Sequence, residues 1–182
     1  MRRIRIVVAY DGTNYCGWQI QPNGITIEEI LNRQISKLTG EDIRIIGASR
    51  TDSGVHALGN VAVFDTESRI PGDRFAYALN QKMPEDIVIV RSDEVQIDWH
   101  PRYQNEISKT YEYHIYNAKV RNPLKNRYST FVSFDLDVEK MRQGAKYILG
   151  EHDFASFCNV RTNAKDTVRT VHEITITEIP MD

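Results

Sequence analysis

Gly47-Ala48-Ser49-Arg50-Thr51-Asp52-Ser53-Gly54-Val55-His56-Ala57 gathers an arginine, a carboxylate, hydroxyls and a histidine into one glycine-bounded stretch. Its residue types allow two readings. Asp-Ser-Gly is ordinary turn chemistry, because aspartate bonds its own backbone and glycine accepts positive φ. Asp52 is equally a carboxylate that a neighbouring arginine, Arg50, can pair with and keep ionised. Two aromatic groups lie elsewhere. Tyr111 and Tyr113 share one strand face with Ile115, where core packing is the plain reading. Tyr15 and Trp18 suit either a platform for stacking bases or a loop anchored in the core. Lys119, Arg121, Lys125 and Arg127 lie close together with no acid among them. That spacing fits phosphate contact or a solvated loop.

The elements that must position these residues follow from periodicity. Ile4 to Tyr10 predicts a strand closed by Asp11-Gly12. Thr26-Ile27-Glu28-Glu29 is a capping box, Gly40 a stop, and Ile27, Ile30, Leu31, Ile35 and Leu38 form one helical stripe between them. Ile43 to Ala48 and Asn60 to Thr66 predict strands on either side of the Asp52 segment. Pro71 opens a helix with Phe75, Ala76, Leu79 and Met83 on its inner face, and Asp86 to Arg91 returns as a strand. This β-α-β-β-α-β order is the ferredoxin-like, or RRM-like, pattern. It predicts an α+β fold with a first domain over residues 1–100 that carries the Asp52 loop.

A second half over residues 101–182 begins the same cycle and does not complete it. It is expected to supply a long strand, Ser108 to Asn117, a helix capped by Asp137 and stopped by Gly150, and a strand from Thr167 to Ile179. Both halves are expected to be antiparallel sheets backed by helices.

Composition narrows the class. The 182 residues are 41% hydrophobic and 26% charged, as in an ordinary globular protein, with a formal net charge of −2. That balance argues weakly against a nucleic-acid binder, but uneven clustering permits a basic face. Arg161, Lys165 and Arg169 are a second basic cluster. Apolar runs are far too short for a membrane span. Two distant cysteines, Cys16 and Cys158, predict no disulfide scaffold and a reducing cytoplasm. The scattered histidines and cysteines predict no metal site, and no phosphate-binding glycine loop is present. Asp11-Gly12-Thr13 lacks the nucleophile of the dehalogenase-type phosphatases, since Ala9 stands in its place.

Arg50-Thr51-Asp52-Ser53-Gly54-Val55-His56-Ala57 closely resembles the active-site motif of the TruA family of tRNA pseudouridine synthases, with Ser53 where that family usually has alanine. Four further segments are similar to the family's in the same order. They are Tyr10-Asp11-Gly12-Thr13-Asn14-Tyr15 with Gly17-Trp18-Gln19, then Leu79-Asn80 with Met83-Pro84-Glu85-Asp86-Ile87. Lys109-Thr110-Tyr111-Glu112-Tyr113 and Leu149-Gly150-Glu151-His152-Asp153-Phe154 with Phe157 complete the set. The resemblance implies isomerisation of uridine to pseudouridine at positions 38–40 of the tRNA anticodon stem-loop. It implies Asp52 as the catalytic carboxylate and Arg50, Thr51, Gly54, Val55, His56 and Tyr111 as substrate contacts. Tyr111 would stack on the base. No cofactor and a homodimer are implied as well. The family continues into a strand and a helix bearing Met-Val-Arg, whose arginine pairs with the aspartate. This sequence holds no such segment, so the second reading is a truncated, inactive RNA-binding fragment.

Overall fold

The computed structural model describes residues 1–103, 108–158 and 166–180. The chain forms two compact units, Met1–Tyr111 and Glu112–Asp182. The first is built from β1 (Arg2–Tyr10), α1 (Ile27–Thr39), β2 (Ile46–Gly47), β3 (Ala57–Thr66), α2 (Phe75–Asn80) and β4 (Ile87–Val95). Its single sheet has the order β2-β3-β1-β4 with every neighbour antiparallel.

β1 shows why this sheet forms. Its even positions Ile4, Ile6, Val8 and Tyr10 are buried, against α1 residues Ile27, Leu31 and Ile35 and α2 residues Phe75 and Leu79 in one cluster. Each such side chain removed from water contributes about 1.5–3 kcal/mol before entropic costs. On the other face Arg3 and Arg5 pair with carboxylates of the flanking strands, Asp65 on β3 and Asp93 on β4, each at 2.7 Å. The strand therefore fixes its register on both faces.

Several expected boundaries shift for identifiable reasons. Ile43 and Ile45 are buried as expected, but β2 is only two residues long. The Ile43 and Ile45 N–H groups donate instead to Ser36 Oγ (3.0 Å) and Asn32 Oδ1 (2.9 Å) of α1. Pro71 lies ahead of a 3-10 turn, Gly72–Arg74, and α2 starts only at Phe75. There the Ala76 N–H is taken by Ser92 Oγ of β4 (2.8 Å). Met83 falls outside α2. The helix ends at Asn80, whose side-chain amide bonds both the N–H and the C=O of Ile89.

The second unit contains β5 (Ile115–Asn117), β6 (Thr130–Val132), α3 (Val138–Ala145), β7 (Gly150–Asp153) and β8 (Val168–Val171). Asp137 caps α3 as expected, its side chain accepting from the Lys140 N–H (3.0 Å). The long strand from Ser108 is reduced to β5, because no strand lies beside residues 108–113 among the described residues to pair with their backbone. Likewise Thr167–Ile179 is a strand only where β8 meets β7. The expected antiparallel pairing is corrected at one point: β5 and β6 are parallel, joined by a connection long enough for a crossover. No described residue from Glu112 onward is buried. Arg161 and Lys165 lie outside the described residues, while Lys119 pairs with Asp135 and Arg121 lies over the Phe131 ring. Cys16 and Cys158 are free, and no helix among the described residues is long and apolar enough to cross a membrane.

Candidate active site

The Asp52 loop is positioned by the N-terminus of α1. A helix leaves its first N–H groups without partners inside the helix. Here the Ile27 and Glu28 N–H groups donate to the carbonyls of Gly17 (3.2 Å) and Trp18 (3.0 Å). Thr26 caps the same end, its hydroxyl accepting from the Glu29 N–H. The Trp18 N–H passes the connection on to the Thr51 carbonyl (3.0 Å), and the Gly54 N–H and Ser53 hydroxyl both donate to the Tyr15 carbonyl. A chain of backbone bonds thus runs from α1 through residues 15–18 to both sides of Asp52.

Trp18 and Tyr15 are almost fully buried, so they belong to the core. The Trp18 indole packs against Gly47, where an added Cβ would sit 2.6 Å from its ring atoms. Below the loop, the Tyr10 hydroxyl bonds the Thr51 hydroxyl at 2.8 Å. Burial pushes the Tyr10 phenol above its ordinary pKa, partly offset by Thr51 and Asn60. Asn60 holds Ser49 from both sides, accepting from its N–H and donating to its carbonyl (3.0 Å).

Asp52 itself is exposed at the crest of this scaffold. Its carbonyl accepts from the Val55 N–H, but among the described residues no hydrogen bond or ion pair engages its carboxylate. The turn-forming aspartates behave differently. The carboxylates of Asp11, Asp137 and Asp153 each accept from a backbone N–H two or three residues ahead. The residue that could close such a turn here, Gly54, gives its N–H to Tyr15 instead.

Arg50 does not pair with Asp52. It lines a cleft of about 290 Å³ with Ala48, Ser49, Arg102, Lys109 and Tyr111. Tyr111 is 71% exposed, so its ring is open to a ligand rather than spent in a core. Arg102 Nε donates to the Gly47 carbonyl at 2.7 Å and Lys109 Nζ to that of Ala48 at 3.3 Å. Val55 is exposed, and Gly54 adopts φ +77°. His56 turns away from the cleft: its Nδ1 accepts from the Gly12 N–H (3.1 Å) and lies 3.0 Å from Asp11 Oδ1. Among the described residues no group of histidines, cysteines and carboxylates could hold a metal ion.

A family profile described as tRNA pseudouridine synthase matches residues 6–104 and 145–182. This chain belongs to that family. Its relatives include the tRNA pseudouridine synthase A of Acetivibrio thermocellus, 49% identical over 176 residues that make up 97% of this chain and 72% of that protein. The protein of the same name from Brevibacillus brevis is 44% identical over 179 residues, 98% of this chain and 73% of its own. Clostridium perfringens tRNA pseudouridine synthase A 2 is 48% identical over 176 residues, again 97% and 72%. The family is one of isomerases, and the chain is similar to these synthases along nearly its whole length.

Within this cleft, Arg102 is the residue that no sequence motif singles out. It follows Trp99-His100-Pro101, a stretch that reads only as a connector. The available signal was a cation flanked by aromatics, and its bond to Gly47 spans 55 positions that no local pattern encodes.

Proposed function

We propose that this chain isomerises uridine to pseudouridine in the anticodon stem-loop of tRNA, at positions 38–40, with Asp52 as the nucleophile. The observation that carries this reading is the unengaged carboxylate on an over-determined loop. A structural Asp-Ser-Gly turn would use that carboxylate to bond its own backbone. Here the backbone is held by other groups and the carboxylate is left to solvent, two residues along the chain from Arg50, which lines a cleft with Arg102, Lys109 and Tyr111. A preorganised loop of this kind lowers the cost of bringing the carboxylate to the substrate.

The reaction breaks the N1–C1′ bond, turns the uracil and joins C5 to C1′. The C5 proton leaves and N1 gains one, so atoms balance without a redox partner. Asp52 would add to C1′ or C6, or assist elimination at the sugar. Arg50, Arg102 and Lys109 would meet the phosphates around the target, and the open Tyr111 ring would stack on the base and stand near C5. Arg50 would also fill the space left by the flipped nucleotide. The chain would act in the cytoplasm as a homodimer, without cofactor or metal.

The test uses an unmodified tRNA transcript tritiated at uracil C5. The expected result is label release by the 182-residue chain and none by Asp52→Asn, with folding and tRNA binding retained. Release that survives in Asp52→Asn would remove the nucleophile assignment. Transcript binding without release by the unaltered chain would favour the RNA-binding fragment.

A further inference from the structure

A second cavity, of about 350 Å³, opens between α1 and the turn that precedes β4. Its apolar wall is made by Tyr15, Met83 and Pro84, and its polar rim by Arg33, Gln34 and Lys82. Arg33 and Lys82 are exposed, and neither forms an ion pair among the described residues. The arginines of β1 are all paired with carboxylates, whereas these two cations face the same cavity without one. The nearby Asp86 does not neutralise them. Its Oδ1 accepts the Tyr15 phenol proton at 2.5 Å and its Oδ2 accepts from Asn14 at 3.3 Å. Burial and Asp86 raise the Tyr15 pKa, and the positive charge of Arg33 pulls it back.

We propose that this cavity holds one nucleotide of the tRNA other than the target uridine, its phosphate between Arg33 and Lys82 and its sugar or base against Tyr15, Met83 and Pro84. The inference rests on the reading that the substrate is RNA. With a net charge of −2, whole-chain attraction gives RNA binding little help, so affinity draws on cations placed at defined points of the surface. An apolar wall beside two such cations matches a nucleotide, which carries a flat ring beside a phosphate. Tyr15 also ties the cavity to the catalytic loop. Its side chain forms the wall, while its carbonyl accepts the Ser53 and Gly54 hydrogens.

The experiment measures binding of an unmodified tRNA transcript across a salt series for the whole chain and three variants. In the Arg33→Gln/Lys82→Gln double variant, affinity should fall by about tenfold at low salt, and the log–log salt slope should become shallower by about 1 to 2. Lys37→Gln, an exposed cation of α1 outside the cavity, should leave both unchanged. Met83→Asp, which sets a charge into the apolar wall, should weaken binding at every salt concentration. Thermal midpoints would confirm that each variant folds. If the unaltered chain binds while the double variant matches it, or matches Lys37→Gln, the cavity proposal is overturned and the function stands. If the unaltered chain binds no tRNA even at low salt, both fall.

Discussion

Gly17 shows at the scale of one residue how the site depends on backbone. Its φ is +84°, and an added Cβ would lie 2.6 Å from the Thr51 carbonyl oxygen that the Trp18 N–H needs. Gly40, at the end of α1, has φ +76° with open space around it. Alanine at either position would be strained by about 1–2 kcal/mol from its conformation alone. Gly17→Ala must in addition push the Thr51–Asp52 peptide aside. Misplacement of a catalytic group by about an ångström can cost on the order of a hundredfold in rate. We therefore expect similar losses of stability at a minimum, but loss of tritium release only in Gly17→Ala. Equal activity in the two variants would mean that the Gly17 contact does not position Asp52. Tyr10→Phe is a milder probe. It removes the bond to Thr51 and should lower stability by about 1 kcal/mol, read from urea midpoints.

At the scale of elements, α1 carries two jobs that can be separated. Thr26→Ala removes the cap whose hydroxyl accepts from Glu29 and should cost about 1 kcal/mol, measured by chemical denaturation. At the other end, Glu41 ties the exit from α1 to the end of β3, accepting from the Thr66 hydroxyl and from the Glu67 N–H at 2.7 Å. These bonds, the Thr66 hydroxyl first, hold its carboxyl below its ordinary 4.5. A depressed carboxyl stabilises the fold above its unfolded pKa, and that contribution is lost as pH falls through the folded value. Glu41→Gln should thus be less stable than the unaltered chain near neutrality, with the gap closing as the solution is acidified below about pH 4.5. A gap that stays constant with pH would assign the loss to packing. The same elements show what the sequence could disclose. The α1 stripe, its cap and Gly40 are local and were readable, as was the alternation of β1. The truncation of β2 was not, because Ser36 and Asn32 capture its backbone N–H groups across a loop. The Asp52 loop was legible as residue types, but the free state of its carboxylate depends on Tyr15 taking the Gly54 N–H. The place of Arg102 depends on a long-range bond to Gly47.

The whole molecule is uneven in how its stability is distributed. Among the described residues every buried one lies in the first unit, from Ile4 to Pro101, where the sheet and both helices enclose one cluster. In the second unit Tyr113, Leu124, Phe134, Tyr147 and Phe157 are all more than half exposed, and its strands pair only two by two. Local opening costs little where few apolar contacts would be lost, whereas core strands open only with global unfolding. Isolated two-stranded pairs are marginal in water for the same reason. Amide hydrogen exchange on the 182-residue chain should therefore separate into two classes. The amides of β1, β3 and α1 should be protected to the level of global unfolding, and those of β5 to β8 should exchange orders of magnitude sooner. Uniform protection across both units would mean that the second unit is stabilised by contacts beyond its own small sheets. The Asp52 loop hangs from β1, β3 and α1, so its amides, Gly54 and Val55 among them, should follow the slow class. Fast exchange there would remove the preorganised loop on which the catalytic reading depends.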